Sequence, residues 1–151
     1  MSISIAIEPA RQPEVEALLA RGDEFAFGLY PADSCYLLDV SELEGPGVNM
    51  FVARVENVAA GTAALVERGD GTAELKRLFV DDSARGKGLA AGLLKAIEEH
   101  AQNASVRVIQ LETGPLSYAA IALYEKHGYV RIPNFGQYVD DPTSVCMEKA
   151  F

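Results

Sequence analysis

Three apolar runs joined by very short polar connections constrain this chain most. Val48 to Glu56 and Ala59 to Glu67 meet at the corner Glu56-Asn57, and Thr72 to Val80 follows the turn Arg68-Gly69-Asp70-Gly71. Connections this short leave neighbouring runs no path except to fold back on each other, so the segment reads as an antiparallel meander. After a loop at Asp81 to Arg85, Leu89, Leu93, Leu94, Ile97 and Ala101 recur at helical spacing, which predicts a helix from about Gly86 to Gln102. Before the meander, Ser2 to Glu8 alternates Ile3, Ile5 and Ile7 with small or polar residues, as in a half-buried strand ended by Pro9. Val15, Leu18 and Leu19 put a helix over Pro13 to Arg21, with Gly22 as its stop, and Tyr36, Leu37, Val40 and Leu43 suggest a weaker helix between Pro31 and Glu44. Beyond the long helix, Val106 to Glu112 is a β-branched run of the kind buried on both faces. Ser117 to His127 is helical and closed by Gly128, and Val145 to Lys149 is a last strand.

The 151 residues are 49% hydrophobic and 23% charged, the balance of one globular domain spanning 1–151. Thirteen Lys and Arg against 22 Asp and Glu leave a net charge of −9, which repels phosphate backbones and anionic lipid, so neither nucleic acid nor a membrane is an expected partner. No run reaches the roughly 18–20 apolar residues of a membrane helix, and Met1 to Arg11 lacks the pattern of a signal peptide; the expected location is the cytoplasm. Cys35 and Cys146 form no disulfide or zinc spacing and read as small buried hydrophobes.

Chemistry enters at Leu75 to Ala90, where a strand runs into a glycine-rich loop that opens a helix. The first N–H groups of a helix have no internal partners, and the helix dipole favours an anion there. Gly86 and Gly88 leave the backbone open to a ligand, and Arg85 and Lys87 reverse the sign of the protein locally; together they suggest a phosphorylated ligand. A glycine turn with solvated basic side chains is the plain alternative. Gly86, Gly88 and Ala91 also satisfy the loose dinucleotide-binding pattern, but the motif lies in mid-chain after an antiparallel meander, with too little chain left for a second mononucleotide-binding half.

Arg85, Gly88 and Ala90 fit the Arg/Gln-x-x-Gly-x-Gly/Ala signature, and Ser117 to Tyr129 resembles the Asn-x-x-Ala-x-x-Leu-Tyr-x-x-x-Gly-Phe segment, of the GNAT superfamily of N-acyltransferases. The order of elements resembles that family's too. The resemblance implies an α/β (α+β) fold: a mixed, mostly antiparallel twisted sheet of six to seven strands flanked by about four helices. It implies acetyl-coenzyme A as acyl donor, no metal, and direct attack by an amine in a ternary complex. The pyrophosphate would lie on the amides of Arg85, Gly86, Lys87, Gly88, Leu89 and Ala90. The pantetheine arm would pair with the strand end Leu78-Phe79-Val80, an N–H near Leu78 polarising the thioester carbonyl. Tyr124 matches the tyrosine that protonates the departing thiolate. Ser117 stands where the family often has the asparagine that bonds the pantetheine region. Glu74 matches a frequent position for an acidic base, acting directly or through water, with Glu112 as second candidate, and His127 reads as a cap. Phe25, Phe27, Tyr30, Tyr36, Phe135 and Tyr138 are candidates for an aromatic acceptor pocket. A small amine is the expected acceptor; a basic peptide, and a coenzyme-binding sensor with little turnover, are the alternatives, and a homodimer is the assembly considered.

Overall fold

Turn chemistry sets the register of the sheet. Strands β2 (Val48–Val55) and β3 (Val58–Glu67) meet at Glu56 and Asn57, both at positive φ (49° and 66°), the two-residue hairpin geometry whose twist matches that of its strands. Asp70 Oδ1 accepts the Thr72 N–H at 3.0 Å and starts β4 (Thr72–Val80), while β1 (Ile3–Ile7) pairs along the other edge of β2. The computed structural model describes residues 2–151, and its seven strands form one sheet in the order β1-β2-β3-β4-β5-β7-β6, with β5 at Val108–Thr113, β6 at Val130–Ile132 and β7 at Val145–Ala150. Every neighbouring pair is antiparallel except β4 with β5.

Helices cover both faces. Helix α3 (Leu89–Asn103) buries its Leu89, Leu93, Leu94 and Ile97 stripe against Phe51, Ala63, Leu65 and Leu75, and α4 (Tyr118–Lys126) extends that core with Tyr124. On the opposite face, α1 (Pro13–Leu29) and the one-turn α2 (Val40–Leu43) pack Val15, Leu18, Leu19 and Leu43 on Met50, Val52 and Ala64. Among the described residues no helix is long and apolar enough to cross a membrane.

Four local expectations are corrected. Helix α1 does not stop at Gly22 but runs on to Leu29; a glycine inside a helix costs only about 1 kcal/mol, and the bare face of Gly22 lies against the Phe79 ring, which a β-carbon would meet at 3.5 Å. The segment after Pro31 is a 3₁₀ turn (Ala32–Ser34), an extended stretch and then α2, rather than one helix. Strand β5 is not buried on both faces: Ile109 and Leu111 enter the core while Gln110 and Glu112 lie on the other side. Cys35 is half-buried beside a cleft, whereas Cys146 is buried, so only the second is a core residue.

Candidate active site

The site is a seam in the sheet. β4 and β5 pair only from Thr72–Leu75 to Val108–Leu111, and beyond those residues the strands separate, leaving the β5-facing side of β4 from Lys76 onward without a strand partner. A bulge in β4 marks the place. In the register with β3, Ala64 opposes Lys76 and Thr62 opposes Phe79, so Arg77 and Leu78 face Ala63 alone. Arg77 takes φ 59° there, and the buried Thr62 hydroxyl donates to its carbonyl at 3.0 Å. The Arg77 side chain, 5% exposed, is fixed to α1 by Asp23 at 2.6 Å and the Leu19 carbonyl at 3.3 Å.

A cleft of about 830 Å³ fills this gap. One end is the glycine loop: Gly86 and Gly88 sit at φ 80° and 76°, Gly88 caps α3, and a β-carbon on either would meet nothing within 4 Å. Among the described residues no side chain caps the opening amides of α3, and a helix start of that kind suits an anion. Leu78, Phe79, Val80, Arg85, Gly86, Gly88, Leu89 and Ala90 all line the cleft, while Lys87 is exposed outside it. Arg85 is already engaged, with Asp82 at 3.0 Å and the Phe25 ring 5.6 Å from its guanidinium carbon.

Tyr124 reaches the gap from the α4 face. It is 5% exposed, its hydroxyl makes no side-chain hydrogen bond among the described residues, and burial, with a smaller contribution from Glu112, holds the phenol well above its ordinary pKa. Glu112 reaches the same gap from the opposite face of the sheet. Ser144 Oγ donates to its Oε2 at 2.7 Å, and burial, reinforced by the charges of Asp141 and Glu74, pushes the carboxyl up to about 7. A carboxyl so poised exchanges a proton near neutral pH.

Glu74 lies outside the cleft lining. Tyr138 donates to its Oε2 at 2.6 Å, and Arg68 and Lys76 stand at 3.1 and 3.7 Å, so it orders neighbours and does not face the gap. Ser117 lines the cleft, but its hydroxyl is shared with Tyr30 at 2.8 Å; the Tyr30 oxygen also accepts the Leu116 N–H at 3.0 Å. Tyr30 thereby straps the end of α1 to the β5–α4 loop, lying so close over Gly114 that any side chain there would displace its ring. Gly114→Ala is therefore expected to lower stability by about 1–3 kcal/mol, the cost of overpacking, read as a fall in denaturation midpoint; an unchanged midpoint would mean the strap is loose. Of the other aromatics, Phe25 and Tyr36 line the cleft, Tyr138 meets both Tyr36 and Phe135 edge-on, and Phe27 is exposed outside the cleft. His127 caps α4, its Nδ1 2.9 Å from the Leu123 carbonyl. Lys76 and the Tyr30 strap escaped sequence reasoning: the first is one charge in a strand, and the second joins residues 87 positions apart.

A parted strand pair, an open glycine loop at one end and a buried phenol and carboxyl reaching the gap from opposite faces form an arrangement that can seat a phosphorylated carrier and exchange protons with a group in transfer. Residues 14–129 match the family model described as "Acetyltransferase (GNAT) family", and the chain belongs to that family. As a member of it, the protein is a GNAT-type N-acetyltransferase. Among relatives, the IAA acetyltransferase of Azospirillum brasilense is 38% identical over 149 residues, covering 98% of this chain and 97% of that protein. The crystal structure of a protein assigned as an acyl-CoA N-acyltransferase from Klebsiella pneumoniae superposes with TM-score 0.86 at 34% identity, covering 98% of this chain and 97% of that one. The PaiA N-acetyltransferase of Thermoplasma acidophilum, solved in complex with coenzyme A, shares the fold at TM-score 0.79 and 15% identity, with both chains fully covered.

Proposed function

We propose that the protein moves an acetyl group from acetyl-coenzyme A to a primary amine of a small molecule in the cytoplasm, in one ternary complex. The observation that carries this reading is the seam itself, with the glycine loop at one end and Tyr124 and Glu112 facing each other across the gap. The pyrophosphate lies on the loop amides from Arg85 to Ala90, and the pantetheine arm takes the place of the missing partner of Leu78, Phe79 and Val80, pairing with the backbone like an added strand. An N–H near Leu78 polarises the thioester carbonyl. The free amine attacks that carbon, the C–N bond forms and the C–S bond breaks. Glu112 accepts the proton lost by nitrogen, and Tyr124 supplies one to sulfur. Glu74, the base expected from sequence, is a positioning residue in this scheme, because it is paired with Arg68 and Tyr138 and lies outside the cleft. The name IAA acetyltransferase, borne by a relative similar over nearly its whole length, supports a small-molecule acceptor.

Thiol release from acetyl-coenzyme A against a panel of amines, amino acids and polyamines tests the reaction; silence across the panel from a protein that binds the coenzyme would sink it. The coenzyme site has its own test. Gly88→Ala should cost about 1–2 kcal/mol for the left-handed backbone, since its β-carbon meets open space in the free protein, yet weaken acetyl-coenzyme A binding at least tenfold by calorimetry. Full affinity in that variant would move the pyrophosphate off the loop.

A further inference from the structure

The lining of the cleft as a whole reverses the charge balance of the protein. Four charged residues line the cleft in a chain of net charge −9: Lys76, Arg77, Arg85 and Glu112. Arg77 is paired with Asp23 at 2.6 Å, and Arg85 sits with Asp82 at the glycine loop, which leaves Lys76 and Glu112 to meet the acceptor. Lys76 is only partly answered at hydrogen-bond distance, the charge of Glu112 acting on it from further off. Its shortest contact is the neutral Tyr138 hydroxyl at 2.8 Å, and its carboxylate neighbour Glu74, at 3.7 Å, also takes Arg68 at 3.1 Å and the Tyr138 proton at 2.6 Å. An ammonium carries three donors, so this one, 9% exposed at the cleft wall, retains donors with no partner at hydrogen-bond distance among the described residues.

That arrangement discriminates between acceptors. A plain amine arriving as its ammonium meets a second buried ammonium, a repulsion that low dielectric strengthens. A molecule with an anionic group close to its amine meets a charge pair instead, and Glu112 is left free for the nitrogen. Resting on the N-acyltransferase reading above, we infer that the acceptor is an amine carrying its own carboxylate, an amino acid in the chemical sense, whose carboxylate binds Lys76 Nζ while its nitrogen faces Glu112. Tyr36 and Leu37, on the extended stretch after the 3₁₀ turn, line the wall where its side chain would lie.

The test has two arms, run with wild type, Lys76→Met and Lys76→Arg. The first measures kcat/KM for acetyl transfer to each of the twenty amino acids and to its decarboxylated counterpart, phenylalanine against phenethylamine and leucine against 3-methylbutylamine among them. In the best pairs, wild type should favour the carboxylate by about ten- to hundredfold, the range of a hydrogen bond to a charged group. Lys76→Met should bring that ratio toward one, mainly through KM, and Lys76→Arg should restore part of it. The second arm measures binding of the same amino acids to the coenzyme A complex by calorimetry, without turnover. Carboxylate binding that depends on Lys76 without transfer would keep this site and overturn the transferase reading. Transfer to decarboxylated amines as fast as to their amino acids, or a ratio unmoved by Lys76→Met, would keep the transferase and overturn the carboxylate site.

Discussion

Glu112→Gln should lower kcat/KM by about 10²–10⁴-fold and, in the same protein, raise thermal stability above pH 7. The loss of activity is that of a general base. With its carboxyl at about 7, wild type needs Glu112 deprotonated, so its rate should climb with pH through that value and level above it, and the glutamine variant should lack this limb. The stability effect has the opposite sign. In the unfolded chain the carboxyl titrates near its ordinary 4.5, so the stability it contributes is fully present below 4.5 and is lost as pH rises through 7. Between those values the folded protein comes to hold a buried charge, at a cost of up to about 3 kcal/mol. Glutamine removes the charge while its amide oxygen still accepts from Ser144, so the gap in midpoint between variant and wild type should open from pH 4.5 to 7 and reach several degrees. A variant that keeps its turnover, or is less stable at pH 8, would return Glu112 to a structural role.

Tyr124→Phe is the second large effect, a loss of about 10²-fold or more in kcat with coenzyme affinity nearly unchanged. The ring packs against Tyr129, with centroids 5.8 Å apart, and phenylalanine preserves that contact. Only the hydroxyl is lost, and among the described residues it holds no side-chain partner. Burial raises the phenol pKa, which keeps the proton in place across neutral pH. A thiolate leaving into the same buried gap is also poorly solvated and gains basicity for the same reason. Undiminished turnover in the variant would exclude that proton path.

Much of the scaffold is legible in the sequence because it rests on local rules. The Glu56-Asn57 turn, the α3 stripe and the open glycines at 86 and 88 each depend on residues a few positions apart. What escaped depends on partners distant in the chain. The helical spacing of Tyr36, Leu37 and Val40 is real, but Tyr36 donates to Asp141 at 2.7 Å, and the residues around it stay extended. Strand β6 has three residues, too few for any periodicity, and exists because β7 is beside it. The proposed preference for Glu112 over Glu74 rests on geometry of the same kind. Both lie on the same face of neighbouring strands, but Glu74 belongs to the paired stretch and Glu112 to the parted one.

The brevity of the β4–β5 pairing has a mechanical consequence. Strands β1 to β4 form one plate and β5, β7 and β6 another, and the sheet joins them through the four matched pairs between Thr72–Leu75 and Val108–Leu111. The Tyr30 strap ties the plates again on the α1 face. A coenzyme arm that pairs with the free side of β4 is then a rivet as well as a reactant: it lengthens the joint while it delivers the acetyl group. In that proposed complex the joint is longest while the coenzyme is seated, and it returns to its four matched pairs only once the spent thiol has left.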